Sequence, residues 1–141
     1  MSARTMRASR LAELRERAVR EAQGALAEAT RAVASARETL RLVEATWAAH
    51  ADAETRCASA ADLAASSAYL ATLRIRVEQA RARVTSEVVT EERMRAKVQG
   101  ARMEQRKIEL WRDGIMSGER VEEDRRERIA GDEVAARMRR A

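Results

Sequence analysis

No proline and no phenylalanine occur in the 141 residues, and the aromatic side chains are Trp47, Tyr69 and Trp111 alone. Proline inside a helix removes a backbone donor and clashes with the preceding turn, at about 3 kcal/mol. A chain without it is free to run as very long helices. Globular cores draw on aromatic bulk, so three aromatic residues exclude a thick one. The hydrophobic share of 45% is largely alanine, which favours helix but buries little area. With Ala, Arg and Glu dominant, Leu present and charged residues at 36%, the composition implies a thin apolar seam between long helices.

Chemistry-bearing groups are equally scarce. Cys57 is the single cysteine, so no intramolecular disulfide is possible, and it cannot close a tetrahedral zinc site with the single histidine, His50. These two stand seven residues apart, but a coupled Cys–His nucleophile needs a pocket that a rod does not supply. Both are read as structural. Neither Lys97 nor Lys107 completes a G-x-x-x-x-G-K phosphate loop. Carboxylate pairs such as Glu91-Glu92 and Glu122-Glu123 read as solvated helix faces. The expectation is a non-enzymatic chain with no cofactor and no metal. No apolar run approaches the roughly 18–20 residues that span a bilayer, and the N-terminus shows no apolar signal region. A reducing, cytoplasmic location without membrane insertion is expected.

What is present is periodicity. From Val19 an apolar stripe alternates steps of three and four: Val19, Ala22, Leu26, Ala29, Val33, Ala36, Leu40, Val43, Trp47, His50. This is the coiled-coil period. Alanine at alternate layers permits close approach of an antiparallel partner. Upstream, Leu11, Leu14 and Ala18 suggest a stripe shifted by about one position. A second stripe runs from Leu63 through Leu70, Leu73, Val77, Ala80 and Val84 to Met94, Val98, Ala101 and Ile108. Glu87 and Glu91 occupy core slots in its middle and read as fixing register. Between the stripes Asp52–Ser59 breaks the pattern, and Ser59 followed by Asp62 resembles a capping box. The predicted fold is an all-α antiparallel two-helix coiled-coil hairpin. Helix 1 covers about 4–53, the turn about 54–60 and helix 2 about 61–138. A hairpin centred there sets residue i opposite about 115 − i, with Trp47 meeting Tyr69.

The same register exhausts helix 1 near Gly114, leaving an unpaired charged arm over about 115–141. Its pairs Glu122/Arg126, Asp124/Arg128 and Glu133/Arg137 have stabilising i,i+4 order. The net charge of +5 is concentrated in residues 1–20, where six arginines face two glutamates. A basic terminus of that kind suits a protein partner. The arm's acids offset its bases and no aromatics interleave them, which argues against a nucleic-acid binder. Trp47 and Tyr69 read as seam packing or as a partner patch near the turn, and Trp111 as covering the seam's end or contacting a partner.

Several segments then resemble one family. Leu11-Ala12-Glu13-Leu14-Arg15-Glu16-Arg17-Ala18 is similar to the opening "L..LRE..A" of the FliJ family of flagella and its YscO-type injectisome relatives, the stalk proteins of type III export ATPases. Tyr69-Leu70-Ala71-Thr72-Leu73 resembles the "Y-L-x-x-L" that begins the family's second helix. Lys107-Ile108-Glu109-Leu110-Trp111, with Asp132-Glu133-Val134-Ala135-Ala136-Arg137, resembles its "K-x-E-x-L … D-E-x-A-x-R" ending, although Gly131 stands where leucine is usual. The resemblance implies a hairpin like the rotor of F- and V-type ATPases. Its termini would enter the pore of a hexameric export ATPase, its turn would face the cytoplasmic domain of the export gate, and export chaperones would be further partners. Arg4, Arg7, Arg10, Asp132, Glu133 and Arg137 would then meet the ATPase, and Trp47, Tyr69 and Leu73 the gate. The free chain would be an elongated monomer. A generic dimerising coiled-coil scaffold and a basic nucleic-acid binder are the competing readings.

Overall fold

The computed structural model describes residues 2–140 and is all-α. Helix α1 spans Ala3–Glu54 and helix α2 spans Ala60–Arg140, and the two pack against each other as a hairpin. The chain divides into a turn-proximal unit, Ala22–Val98, and a terminal unit, Met1–Glu21 with Gln99–Ala141.

In the turn-proximal unit α1 ends without a glycine. Arg56 N–H and Cys57 N–H each bond the carbonyl three residues back, at 3.0 and 3.2 Å. Thr55 Oγ1 donates to the Asp52 carbonyl at 2.7 Å, and Arg56 pairs with Asp52 at 2.9 Å. The bonds from Arg56 N–H, Cys57 N–H and Thr55 Oγ1 take up carbonyls that a helix end leaves unsatisfied. Helix α2 starts on the expected cap: Ser59 Oγ accepts from the Asp62 N–H at 3.1 Å. Asp62 also places negative charge at the positive end of the helix dipole.

The seam of this unit is the stripe read from the sequence. Ala29, Val33 and Ala36 of α1 and Leu73, Val77, Ala80 and Val98 of α2 are buried. Ala22, Leu26, Leu40, Val43 and His50 are half-buried, as are Leu70, Val84, Glu87, Glu91 and Met94. Trp47 departs from the stripe and stays 39% exposed. Glu91 does not reach across the seam for its charge partner. Arg95, one turn along the same helix, pairs with it at 2.6 Å.

The register differs from the symmetric expectation. Three cross-helix pairs, His50/Tyr69, Glu54/Ser67 and Glu44/Arg81, have residue numbers adding to 119, 121 and 125 rather than about 115. Tyr69 therefore meets His50, edge to face at 4.5 Å, and not Trp47. The cause is the loop. After the turn at Thr55–Arg56 the chain runs on through Cys57 and Ala58 without helix. Non-helical residues advance up to about 3.3 Å each, against 1.5 Å in a helix. Helix α2 consequently runs from Ala60 to Ser67 before it is level with Glu54.

In the terminal unit, Thr5, Ala8, Ala12 and Val19 of α1 are buried. They continue the heptad of the first stripe without a shift. Leu11 and Leu14, expected in the seam, are 40% and 57% exposed. One position along a helix is a rotation of about 100°, so a shifted stripe would turn α1 off the seam. Small residues keep the phase on α1. On α2 the half-buried seam residues of this unit are larger, among them Ile108, Ile115 and Met116.

Because Leu73 is the largest apolar side chain that is fully buried, Leu73→Ala is expected to cost about 2–3 kcal/mol, at the low end for core truncations. Ile75→Ala, two residues on and 56% exposed, is expected to cost under about 0.5 kcal/mol. Urea unfolding followed by circular dichroism separates the two.

Candidate functional site

The N-terminus of α1 is closed by a residue from the other helix. Ser2 is the cap: its Oγ accepts from the Thr5 N–H at 3.2 Å, and its carbonyl accepts from the Met6 N–H at 3.0 Å. A capping box would place Glu or Gln at the position of Thr5 to reach back to the cap. Here Thr5 is buried and its hydroxyl donates to Glu119 Oε1 at 2.6 Å. The Ser2 hydroxyl donates to the same oxygen. Hydrogen bonds from Ser2, then from Thr5, hold the Glu119 carboxyl below the usual carboxylate range.

An open groove adjoins this clasp, lined by Ser2, Arg4, Trp111, Gly114, Gly118 and Glu119 among others. Gly114 and Gly118 lie one turn apart, and a Cβ on either would meet nothing within 4 Å. The helix continues through both to Arg140, although each glycine costs roughly 1 kcal/mol relative to alanine. Trp111 is 41% exposed beside them, and Leu110 and Val121 are more exposed still. Trp111 thus stands beside the seam, which runs on past it to Ile115 and Met116, without being covered by it.

From Val121 to Arg140 every residue is exposed. The bare arm begins there and not at about 115, because Ser2 and Thr5 reach as far as Glu119. Within it, none of the expected pairs Glu122/Arg126, Asp124/Arg128 and Glu133/Arg137 closes to an ion pair; helical pairs form elsewhere, as at Glu16/Arg20 and Glu38/Arg41. An exposed pair is worth at most a few tenths of a kcal/mol, which the entropy of two long side chains readily offsets.

The residues singled out for an ATPase fall into two groups. Arg4, Arg7 and Arg10 are exposed on the first turns of α1. Asp132, Glu133 and Arg137 are exposed on the arm, 13 to 18 residues beyond Glu119. At 1.5 Å per residue that is about 20–27 Å farther along α2, so the two groups do not form one patch. Those singled out near the turn also separate. Leu73 is 2% exposed and belongs to the seam, so it presents no contact surface. Trp47 lies with Arg74, Val77, Glu78 and Arg81 in a shallow recess, where Arg81 also bonds Glu44 at 3.0 Å. Tyr69 packs on His50. By heptad position Arg74 and Arg81 lie on one flank of the α2 stripe and Tyr69 on the other, so the two aromatics face different sides. Among the described residues no group of three or more His, Cys, Asp and Glu is placed to hold a metal ion, and no helix is long and apolar enough to cross a membrane.

Ser2, Thr5 and Glu119 were not legible as a site. The only local signal is a serine three residues before a threonine, and the acid that completes the motif is distant in sequence.

Compared with known protein families, the chain matches the flagellar FliJ protein family over residues 5–141. No curated protein and no solved structure matches it.

The clasp has a defined pH sign. A carboxylate with a lowered folded pKa contributes stability that is fully present above its unfolded pKa and lost as pH falls through the folded one. Amide-exchange protection of the first turns of α1 is therefore expected to hold at neutral pH and to fall below the usual carboxylate range. Glu119→Gln should lower that protection at neutral pH and remove its acid dependence, while protection around Val33 and Leu73 stays as it was.

Proposed function

The chain belongs to the flagellar FliJ protein family, whose members are stalk proteins of flagellar export, and from that membership we propose that it is the central stalk of the export ATPase. In this reading the end bearing the chain termini enters the pore of the hexamer. The turn end addresses the cytoplasmic domain of the export gate, and export chaperones dock on the same protein. The protein has no catalytic role; hydrolysis belongs to the ATPase. The observation that carries the reading is the stretch Val121–Arg140, a helix with every residue exposed. Its side chains are free to make contacts with another protein. Acids and bases alternate along it, from Glu122 and Arg126 to Asp132, Glu133 and Arg137. A single asymmetric helix of this kind favours one subunit state over another at each position around a ring, because its contacts differ from subunit to subunit.

Arg4, Arg7 and Arg10 serve as a second contact set in this proposal, engaging the rim of the ring while the arm reaches deeper. Trp47 and Tyr69 serve the gate from two flanks of the hairpin, and Leu73 supports them from within the seam. The open groove at Trp111, Gly114 and Gly118 adjoins the contact set on α1, with Arg4 in its lining, and an inserted side chain from the ring fits there without displacing a Cβ.

The test is ATPase activity of the cognate enzyme. Addition of the full chain is expected to raise turnover several-fold. Removal of residues 121–141, which leaves the Glu119 clasp in place, is expected to abolish most of that rise. Arg4→Glu with Arg7→Glu should lower it partially and make it more sensitive to salt. Equal activity with and without the protein overturns the stalk reading.

A further inference from the structure

One helix of the turn-proximal unit carries a second apolar line, on the face opposite its seam. In α2 the heptad position farthest from the seam holds Ile75, Ala82, Val89 and Ala96 in four successive repeats, and all four are exposed. That position is normally the most polar in a coiled coil. The equivalent position of α1 behaves so: it holds Gly24, Arg31, Glu38, Ala45 and Asp52. The contrast lies within one unit and one composition, so amino-acid usage does not explain it.

Spacing and charge indicate what covers the line. Successive members stand about 10.5 Å apart and the line is about 30 Å long, three heptads of a partner helix. A strict seven-residue repeat drifts about 20° per heptad on a straight helix, so the four side chains stay on one face. Ala82 and Ala96 alternate with the larger Ile75 and Val89, the same alternation of layers as the seam itself. Around the line, Arg74, Arg76, Arg83, Arg93 and Lys97 are exposed, and none of the five closes an ion pair with another of the described residues. The other two bases are committed, Arg81 to Glu44 and Arg95 to Glu91. Of the acids on this stretch, Glu87 and Glu91 sit in the seam stripe, leaving Glu78 and Glu92 outside.

We propose that the outer face of α2 between Arg74 and Lys97 docks an amphipathic helix with acidic flanks, contributed by another protein. A bare row of arginines would also draw nucleic acid, but phosphates gain nothing from a line of Ile, Ala, Val and Ala, and no aromatic residue is there to stack a base. A second copy presenting the same face would bring arginine against arginine. This docking is separate from the stalk reading, which does not use the line Ile75, Ala82, Val89 and Ala96; of its flanking bases only Arg74 also lines the recess that holds Trp47.

The full-length protein is titrated into a fluorescently labelled 21-residue peptide of three heptads, with leucine and alanine on one face, glutamate on its flanks and no basic residue. Anisotropy is expected to report binding. Ile75→Gln with Val89→Gln, which leaves the net charge unchanged, should weaken it at least tenfold, with the helical circular dichroism signal intact because both residues are exposed. A peptide of the same charge with proline in its central heptad should bind at least tenfold more weakly. Undiminished binding to the double variant, or equal binding of the proline peptide, overturns the proposal by reducing it to charge attraction. Tighter binding of a 30-nucleotide single strand, or self-association of the free chain that the double variant abolishes, overturns it in favour of those occupants.

Discussion

How closely two helices can approach when alternate seam layers are alanine is the constraint on which the other features rest. Buried positions divide between small residues, Ala8, Ala12, Ala29, Ala36 and Ala80, and aliphatic ones, Val19, Val33, Leu73, Val77 and Val98. Each small residue draws the backbones together, and each large one fills the space opposite. No layer buries much area, so stability comes from the number of layers and from their keeping one phase. That is why α1 keeps its heptad through Thr5, Ala8 and Ala12 and leaves Leu11 and Leu14 outside. It is also why the chain closes the start of α1 with a polar device at Ser2, Thr5 and Glu119, where no bulky apolar side chain is available to anchor it.

A seam this thin leaves most of the surface free for recognition. Four kinds of surface are distinguishable by chemistry: the basic first turns of α1, the bare mixed-charge arm, the aromatics near the turn, and the apolar line on the outside of α2. The proposed stalk reading gives the first three a common rationale in export. The fourth lies outside it, which is why its flanking charge, rather than the family, identifies the occupant. Among the described residues none of these surfaces encloses a substrate-sized cavity with converging polar groups.

Much of this was legible in the sequence, and the failures share a cause. The heptad stripes, the Ser59 cap and the hairpin follow from local rules with a period of three or four residues, and the sequence states them directly. Register does not follow from such rules. It depends on how far Cys57 and Ala58 carry the chain outside any helix, and an uncertainty of a few ångströms there exchanges Tyr69's partner from Trp47 to His50. Motif likeness marks Leu73 as a contact residue, whereas its own heptad position marks it as seam. The clasp was missed because half of it lies 114 residues away from Thr5. The arm's i,i+4 spacing predicts side-chain pairs that do not form, since correct spacing does not compel exposed ions to meet.

The separation between Thr5 and Glu119 has a consequence for the order in which the chain is made. Bonds near the turn, such as Glu54 with Ser67, span 13 residues and are available almost as soon as α2 begins to emerge. The acceptor for Thr5 follows it by 114 residues, about 6–23 s at ordinary elongation rates. Throughout that interval the first turns of α1, with Arg4, Arg7 and Arg10, have no carboxylate from α2 to fasten them. A nascent chain therefore presents its basic end in an unfastened state until Glu119 has been made. The emergence of Glu119, rather than the completion of α1, sets when that end acquires its mature form.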